Sequence, residues 1–471
     1  MSSIEAHRQH YNVTFTLLAV AAVAFSLLQS LVAPALLTIQ HDLHTTTAGA
    51  AWILSAYLLS ASVMTPIAGR LGDMFGKKRM LVAVLIVLAA GTALAGLATS
   101  IVIMIVARVI QGAGGAIFPL AFAIIRDEFP RERVPHGIAM ISAILGIGGG
   151  LGIVLAGPIV EHLSYHWLFW LPLVAVVAAA VGTVVFVPES PVRTPGRIDP
   201  IGAVLLAGWL VALLVPVSEG GSWGWTSGKT IGLFALAAVL ILVWAWAESR
   251  SEAPVVDMRM MRLRGVWTTN LAALVFGFGM YSSFLLVPEF VELPKATGFG
   301  FGASVTEAGL FMVPATVGML LAGPVSGRLS TTVGSKVPLL IGAFVSCVAF
   351  VILASAHGSD WEIYAAMLVL GLGIGFAFAS MANLIVEAVP GHQTGVATGM
   401  NTIVRTIGGA VGSQVTAGIV AATLAGNGLP TETGFTIAFA ASAAALAVGF
   451  AVAFAVPTRA AEADRRIAEA A

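Results

Sequence analysis

A short charged segment between two apolar runs carries residue types that could hold a conformational contact. Residues 69–79 contain four Arg/Lys and one Asp, and the residues of interest are Gly69, Arg70, Gly72, Asp73, Gly76, Lys77, Lys78 and Arg79. A tight turn needs glycine for positive φ and for close helix approach. Asp73 could accept hydrogen bonds at a neighbouring helix N-terminus, where the helix dipole favours an anion. The cations that follow Gly76 could meet anionic headgroups.

Two arginines lie inside long apolar runs. Arg108 and Arg405 would be costly in hydrocarbon unless each faces water or a partner. We expect Arg108 to line a cavity and to relay protons or hold a nearby acid; the alternative is a bond to backbone carbonyls or a snorkelling side chain. Arg405 is a second candidate for the same role.

Acidic residues avoid the middle of the apolar runs. The nearest to an inner end include Asp127 and Glu128, which we take as candidates for proton relay. Proton coupling through a carboxylate at the membrane midplane therefore has no residue to assign. Polar side chains that could line a cavity are Gln29, Tyr57, Gln111, Asn270, Tyr281, Asn383 and Asn401.

The composition is that of a membrane protein. Of 471 residues, 58% are hydrophobic and 10% charged, whereas soluble domains carry about 25% charged residues. The zero net charge disfavours a nucleic-acid partner. The single cysteine, Cys347, excludes an intrachain disulfide.

Fourteen apolar runs are long enough to span a bilayer, which takes about twenty residues each. They cover residues 14–35, 47–68, 80–99, 101–124, 137–160, 166–187, 200–217, 229–247, 266–291, 304–328, 336–356, 361–385, 395–424 and 434–456. With the N-terminus in the cytoplasm, the inner segments receive nineteen Lys/Arg and the outer ones only Lys229 and Lys295. The positive-inside rule then places both termini in the cytoplasm.

The charged segment has a degenerate copy. Residues 327–336 repeat Gly-Arg-Leu, a glycine seven positions on, and a closing lysine, with Thr331 at the position of Asp73. An offset of 260 superimposes further glycines, prolines and aromatics, and it sets Leu145 opposite Arg405. The repeat indicates two related halves of six spans with two extra spans between them. We expect a cytoplasmic N-terminus at 1–13, one half at 14–190, the extra spans and linkers at 191–264, the other half at 265–456, and a cytoplasmic tail at 457–471.

On these residues the chain resembles the major facilitator superfamily. The 69–79 segment is similar to that family's loop between spans 2 and 3, and the Arg108–Gly112 segment to its buried arginine motif. Fourteen spans with two central extras resemble its drug:proton antiporter branch. The glycine-rich fifth span is similar to the exporter helix of that branch, through Gly146, Gly150, Gly152, Gly157 and Pro158. The resemblance implies an all-α membrane fold, a latch at the 69–79 segment, and export of lipophilic drugs or natural products in exchange for protons.

The chain departs from that branch in the first span, where residues 26–34 carry no acid. A dedicated exporter or uniporter of one neutral or anionic metabolite is therefore an alternative. From another class, a passive channel or a transport-dead sensor also stays open. No phosphate-binding loop, metal-ligand cluster or nucleophile motif occurs in the sequence. We thus expect no enzyme activity and no cofactor, in a monomer of the inner cell membrane whose partners are a small molecule, protons and lipid.

Overall fold

The computed structural model describes residues 11–190, 199–425 and 428–457, and within these ranges all regular structure is helical. The α-helices, numbered in chain order, are α1 Tyr11–Ser30, α2 Leu36–Asp42, α3 Thr47–Phe75, α4 Lys77–Gly96, α5 Ile101–Gln111, α6 Ile117–Glu128, α7 Val134–His162, α8 Trp167–Phe186, α9 Pro200–Trp223, α10 Gly228–Arg250, α11 Met258–Met261, α12 Arg264–Glu292, α13 Val305–Thr332, α14 Lys336–Ser355, α15 Asp360–Ala388, α16 Thr394–Ala421 and α17 Glu432–Ala455. Short 3₁₀ helices cover Gly112–Ala116, Lys295–Thr297 and Gly391–Gln393.

Fourteen helical stretches of the described residues are long and apolar enough to cross a membrane, as predicted. The fourth combines α5, the glycine-rich 3₁₀ turn and α6 into Ile101–Glu128. The predicted terminal segments 1–13 and 457–471 lie almost wholly outside the described residues. So do six of the nineteen cations used for orientation, which are Arg8, Arg193, Arg197, Arg459, Arg465 and Arg466.

Several predicted spans have different ends in the structure. The first ends at Ser30, because Pro34 lacks an N–H and restricts the residue before it, and the short helix α2 follows. The seventh runs to Trp223 rather than to residue 217, and Asp199 caps its start by accepting from Ile201 and Gly202. Its glycine- and tryptophan-rich end is thus mostly helical.

The charged segment 69–79 is helical almost throughout, which the prediction of a glycine-rich turn missed. Helix α3 continues to Phe75, and only Gly76 takes a positive φ, of 115°, before α4 begins at Lys77. The copy behaves in the same way, with Gly334 at φ 87° just before α14. Gly69 and Gly72 therefore serve close packing rather than the turn.

Buried apolar residues form two large cores. The first joins α1 and α3 to α8, and the second joins α12 to α17. A third, smaller cluster packs the Trp209 face of α9 and Trp244 of α10 against Val396 and Met400 of α16. Helix α10 buries only Thr230, Ala237, Trp244 and Glu248 along its length. It therefore offers most of its apolar surface to lipid.

Candidate functional site

Helices α1 and α3–α8 form one helix group, around the first core, and α12–α17 form the other, around the second. A cavity of about 370 Å³ lies between these two helix groups. Its walls come from α1, α3 and α5–α7 on one side and from α12 and α16 on the other. Much of the lining is apolar, with Phe25, Leu58, Phe118, Met280 and Phe284 among the side chains. Sites for small organic molecules are typically concave and mostly apolar, with a few placed polar groups and volumes of about 300–1,000 Å³. This cavity has those properties.

Arg108 lies on the wall formed by α5 and is fully buried within the protein. Its Nε donates to the Ile53 carbonyl at 3.1 Å, and its Nη1 donates to the Leu28 carbonyl at 3.1 Å and to Gln111 Oε1 at 2.8 Å. Its Nη2 has no hydrogen-bond partner. The guanidinium carbon lies 4.0 Å from the centroid of the Tyr57 ring. The backbone carbonyls considered as an alternative are thus real partners, yet the side chain still lines the cavity.

Local sequence explains how Arg108 comes so close to α3. Ser100 caps α5 by accepting from Ile103, and the helix passes at Gly112 into the 3₁₀ turn. A Cβ added at Gly112 would collide with Ser60, and one at Gly115 would collide with Thr65. The glycines therefore let this turn touch α3, which brings its Ile53 carbonyl within reach of the guanidinium.

Arg405 lies on the opposite wall, in α16. Its guanidinium carbon lies 4.5 Å from the centroid of the Phe378 ring. Among the described residues, none of the ion pairs or hydrogen bonds involves this side chain. It is half-buried and lines the cavity. The structure thus places both predicted arginines on the same cavity, one from each helix group.

A polar contact crosses the cavity from α1 to α12. Gln29 Nε2 donates to the Tyr281 hydroxyl at 3.3 Å, and both residues line the cavity. Tyr57 also lines it, and the Tyr57 hydroxyl is buried without a hydrogen-bond partner. These three predicted cavity residues therefore lie together.

The other four predicted cavity residues do not line this cavity. Gln111 is buried between Arg108 and Thr92, to which its Nε2 donates at 3.0 Å. Asn401 Nδ2 donates to Asn270 Oδ1 at 2.9 Å, so these two join α16 to α12. Asn383 Nδ2 donates to the Pro135 carbonyl at 3.1 Å and joins α15 to α7. They hold helices together.

No carboxylate lines the cavity among the residues that the structure describes there. Asp127 and Glu128 lie at the C-terminal end of α6, on the face that carries the 69–79 segment. Asp127 is paired with Lys77 in a buried ion pair and accepts from the Ser190 hydroxyl. The structure therefore separates the two candidate acids from the two candidate arginines.

On that face, Asp73 contacts the opposite helix group. The Asp73 side chain is fully buried, and its Oδ2 accepts from the Val396 N–H at 3.4 Å in the first turn of α16. A Cβ added at Gly69 would lie 2.6 Å from the Gly395 carbonyl oxygen, so the backbones of α3 and α16 touch here. Asp73 thus lies at the positive end of the α16 dipole.

Two further cations join the halves on the same face. Arg126 donates to Thr394 Oγ1 at 2.7 Å and to the Val389 carbonyl at 2.8 Å. Lys77, besides pairing with Asp127, donates to the Gly391 carbonyl at 3.5 Å. These contacts close the cavity toward the face of the 69–79 segment.

The remaining cations of the segment take a different partner. Glu189 accepts from the Lys78 backbone N–H at 3.2 Å and lies 3.6 Å from Arg79 Nε. A Cβ at Gly76 would meet the Glu189 carboxylate, so this acid occupies the α4 N-terminus.

Arg70 Nε is buried without a partner. Arg126, Glu189 and Ser190 were not predicted as site residues, because no spacing relates them to the segment.

The glycines of α7 are contact points. Gly146 packs on Met319, Gly150 on Thr316 and Gly157 on Thr306, all of α13, and the helix continues through Pro158 to His162.

Two more glycines of α7 face α1. Gly152 meets Ser30, and the Ser30 hydroxyl donates to the Gly148 carbonyl at 2.8 Å. Gly149 has no atom within 4 Å of an added Cβ and lines the cavity. Helix α7 thus sits tightly between the two groups while leaving the cavity open.

Known proteins similar to this chain cover most of it. The family model described as Major Facilitator Superfamily matches residues 18–413. The multidrug transporter protein MdtP of Bacillus subtilis is 28% identical over 349 residues, which cover 73% of this chain and 63% of that protein. Multidrug resistance protein 3 of the same organism is 28% identical over 333 residues, covering 70% and 64%. The chain thus spans less than two thirds of these two relatives.

A third relative and a solved structure extend the comparison. The tetracenomycin C resistance and export protein of Streptomyces glaucescens is 28% identical over 388 residues, covering 81% of this chain and 71% of that one. The crystal structure of the human organic anion transporter MFSD10 (TETRAN) superposes with a TM-score of 0.68 at 16% identity, covering 95% of this chain and 99% of that one. At this identity the likeness concerns the fold alone.

Proposed function

Because the chain belongs to the Major Facilitator Superfamily, we propose that it is a secondary active transporter that exports small lipophilic drugs or natural products by alternating access. The observation that carries the proposal is a largely apolar cavity between two helix groups, closed on one face by Asp73, Lys77 and Arg126. The names of relatives described as multidrug transporters and as an export protein support it.

In this proposal the described state is one end of the transport cycle. The 14–190 and 265–456 halves rock about the cavity, and α9 of the 191–264 insert packs against α3 of the first half and α16 of the second. The 69–79 segment is the latch: Asp73 at the N-terminus of α16 and Lys77 at the 391 carbonyl hold the closed face. Opening requires breaking those contacts, which are few and polar. We place this face, and both termini, in the cytoplasm of a monomeric inner-membrane protein on the basis of the positive-inside rule.

Proton exchange is the coupling that the family resemblance implies. Arg108 and Arg405 line the cavity, whereas Asp127 and Glu128 lie on the latch face. In the proposed cycle these two acids remain the candidates for proton relay. Opening the latch breaks the Lys77 contact to the Gly391 carbonyl, whereas the Lys77–Asp127 ion pair lies within the first half. Because none of the described lining residues is a carboxylate, the second candidate is export of one neutral or anionic metabolite without a carboxylate proton carrier.

The test is uptake of a fluorescent lipophilic dye into inverted vesicles with and without an imposed ΔpH. Uptake that collapses with the gradient supports proton-driven export. Uptake indifferent to ΔpH, with counterflow retained, supports the second candidate. A passive channel shows no counterflow, so loss of counterflow with dye flux intact would overturn the transporter proposal. Vesicles without the protein serve as the blank.

A further inference from the structure

We propose that the cavity selects amphiphilic anions, whose single anionic head lies between Arg108 and Tyr57 on one wall and Arg405 and Tyr281 on the other. The inference rests on the proposed function and names the substrate class of the same cavity. It goes beyond general lipophilicity because it assigns a charge to the cargo and two walls to the head group.

The described lining of the cavity carries an excess of positive charge. Two guanidinium groups line it, and none of its described lining residues is acidic. The smaller space beside it, between Phe118 and Asn401, adds no acid and shares Arg405. In a low-dielectric site such a field attracts anions and repels cations. A lipophilic cation would meet two positive charges without a counter-ion.

Several hydrogen-bond donors of the lining residues have no partner. Arg108 Nη2 and the Tyr57 hydroxyl are buried without partners, although both residues line the cavity. Arg405 on the facing wall makes no hydrogen bond or ion pair with the described residues. Guanidinium groups donate and cannot accept, so their natural ligand is a carboxylate, sulfonate or phosphate oxygen.

The two walls come from different halves. Under the internal repeat Arg108 corresponds to Leu368 and Arg405 to Leu145, so each half supplies one arginine at a position where the other carries leucine. The pair is therefore not a by-product of duplication. Aromatic and aliphatic side chains line the cavity around the proposed site of the anionic head, including Phe25, Phe118 and Phe284. Such a surface accepts the apolar body of an amphiphile.

The experiment measures binding to the purified full-length protein in nanodiscs by equilibrium dialysis, with empty nanodiscs as the blank. The probes share one ring system: naphthalene-2-sulfonate is anionic, naphthalene-2-sulfonamide neutral and 2-naphthyltrimethylammonium cationic. We expect the sulfonate to bind at least about 10-fold more tightly than the ammonium, since charge-assisted bonds to guanidinium are replaced by repulsion. Equal affinities, or a preference for the ammonium, would overturn the inference.

The variant Arg405→Leu installs the residue found at the equivalent position of the other half. We expect about a 10-fold loss of sulfonate affinity and less than about a 2-fold change for the sulfonamide. Arg259→Leu, at an exposed position outside the cavity, is the matched control and should change neither. If Arg405→Leu is poorly folded, Arg405→Gln keeps a polar side chain without the charge and should show the same selective loss. Sulfonate binding unchanged in both variants would refute the anion site.

Binding and transport can fail separately. Selective sulfonate binding without export in proteoliposomes would leave the anion site standing and remove the proposed transport function. Export of the ammonium and sulfonate at equal rates would do the reverse.

Discussion

At the residue scale, five charged side chains lie between the two helix groups and take two kinds of position. The Asp73 carboxylate accepts from the Val396 N–H of α16, and Arg126 donates to Thr394 at the start of that helix. Lys77 donates to the Gly391 carbonyl. Three residues of the first half therefore bond to the second half. Arg108 and Arg405 instead line the space between the halves. These charged residues thus divide into those that close one face and those that line the cavity.

Asp73→Asn removes the anion from the N-terminus of α16. Partly buried charge–dipole contacts contribute up to about 2 kcal/mol, which corresponds to about a 30-fold change in the closed population. We expect the initial rate of dye uptake into inverted vesicles to fall by about 5- to 30-fold, with normal amounts of protein in the membrane. Thr331→Asn changes the equivalent, exposed position of the copy and should leave the rate unchanged. Normal transport by Asp73→Asn would show that the segment does not act as a latch.

Arg108→Ala leaves Gln111 Oε1 and two backbone carbonyls without their donor. Hydrogen bonds to charged groups contribute about 1.5–3 kcal/mol each, so we expect a lower Tm together with loss of export. Arg108→Lys retains the charge but cannot serve three acceptors in the guanidinium geometry, and it should restore part of the stability. Melting curves and dye uptake, measured on the same preparation, check both effects. A fully active alanine variant would exclude a functional role for this arginine.

At the element scale, helix α7 decides how closely the halves approach. Its glycines leave room for α13 on one face and for α1 on another, while Gly149 borders the open cavity. Small residues allow this in membranes because van der Waals packing, rather than the hydrophobic effect, drives helix association. Glycine spacing in the sequence indicated close packing in this span, but the partners of each glycine depend on how α7 is rotated.

Gly150→Val should separate α7 from α13, because the added atoms would overlap Thr316. Overpacking of this kind costs about 1–3 kcal/mol, and we expect a Tm several degrees lower and slower transport. The control is Gly149→Ala, one residue earlier, where an added Cβ meets nothing within 4 Å. Pairing Gly150→Val with Thr316→Gly should restore part of the loss. Equal Tm values for the two single variants would contradict this packing.

At the scale of the whole molecule, the halves touch on the latch face and along α7 and α13, whereas α3 and α16 both contribute to the cavity wall farther on. Gly399 still contacts Pro66, but Thr406 and Ser413 of α16 already line the cavity. With the latch face placed in the cytoplasm, as proposed, the described state is closed to the cytoplasm. The extra helices α9 and α10 reinforce the same region, since Gln393 donates to Asp257 of their linker at 3.2 Å.

Cysteine accessibility tests this state. In a Cys347→Ser background, Ser413→Cys should react with a membrane-impermeant thiol reagent at least about 10-fold faster from outside whole cells than from the exposed side of inverted vesicles, as a population dominated by one state requires. Lys295→Cys, at an exposed loop position, marks the outer side. Faster labelling from the cytoplasmic side would reverse the assignment of the closed face.

The sequence by itself determined the class of the elements and the number of membrane spans. Apolar runs of about twenty residues have one stable solution in hydrocarbon, a helix that satisfies its own backbone, and the fourteen predicted spans are present. It also singled out Arg108 and Arg405, because charge in such a run is rare. The sequence determined the helix ends less well. Pro34 ends α1 earlier than predicted, whereas the glycines of α9 do not end that helix.

Only the tertiary structure decided which polar residues meet. Gln29 donates across the cavity to Tyr281. Four other side-chain amides bond neighbouring helices instead, namely those of Gln111, Asn270, Asn383 and Asn401. Lys77 and Asp127 are 50 residues apart, and Asp73 and Val396 are 323 apart. Such pairs depend on how whole helices rotate and pack. In a membrane helix with apolar residues on every side, hydropathy marks the span but not the face that turns inward.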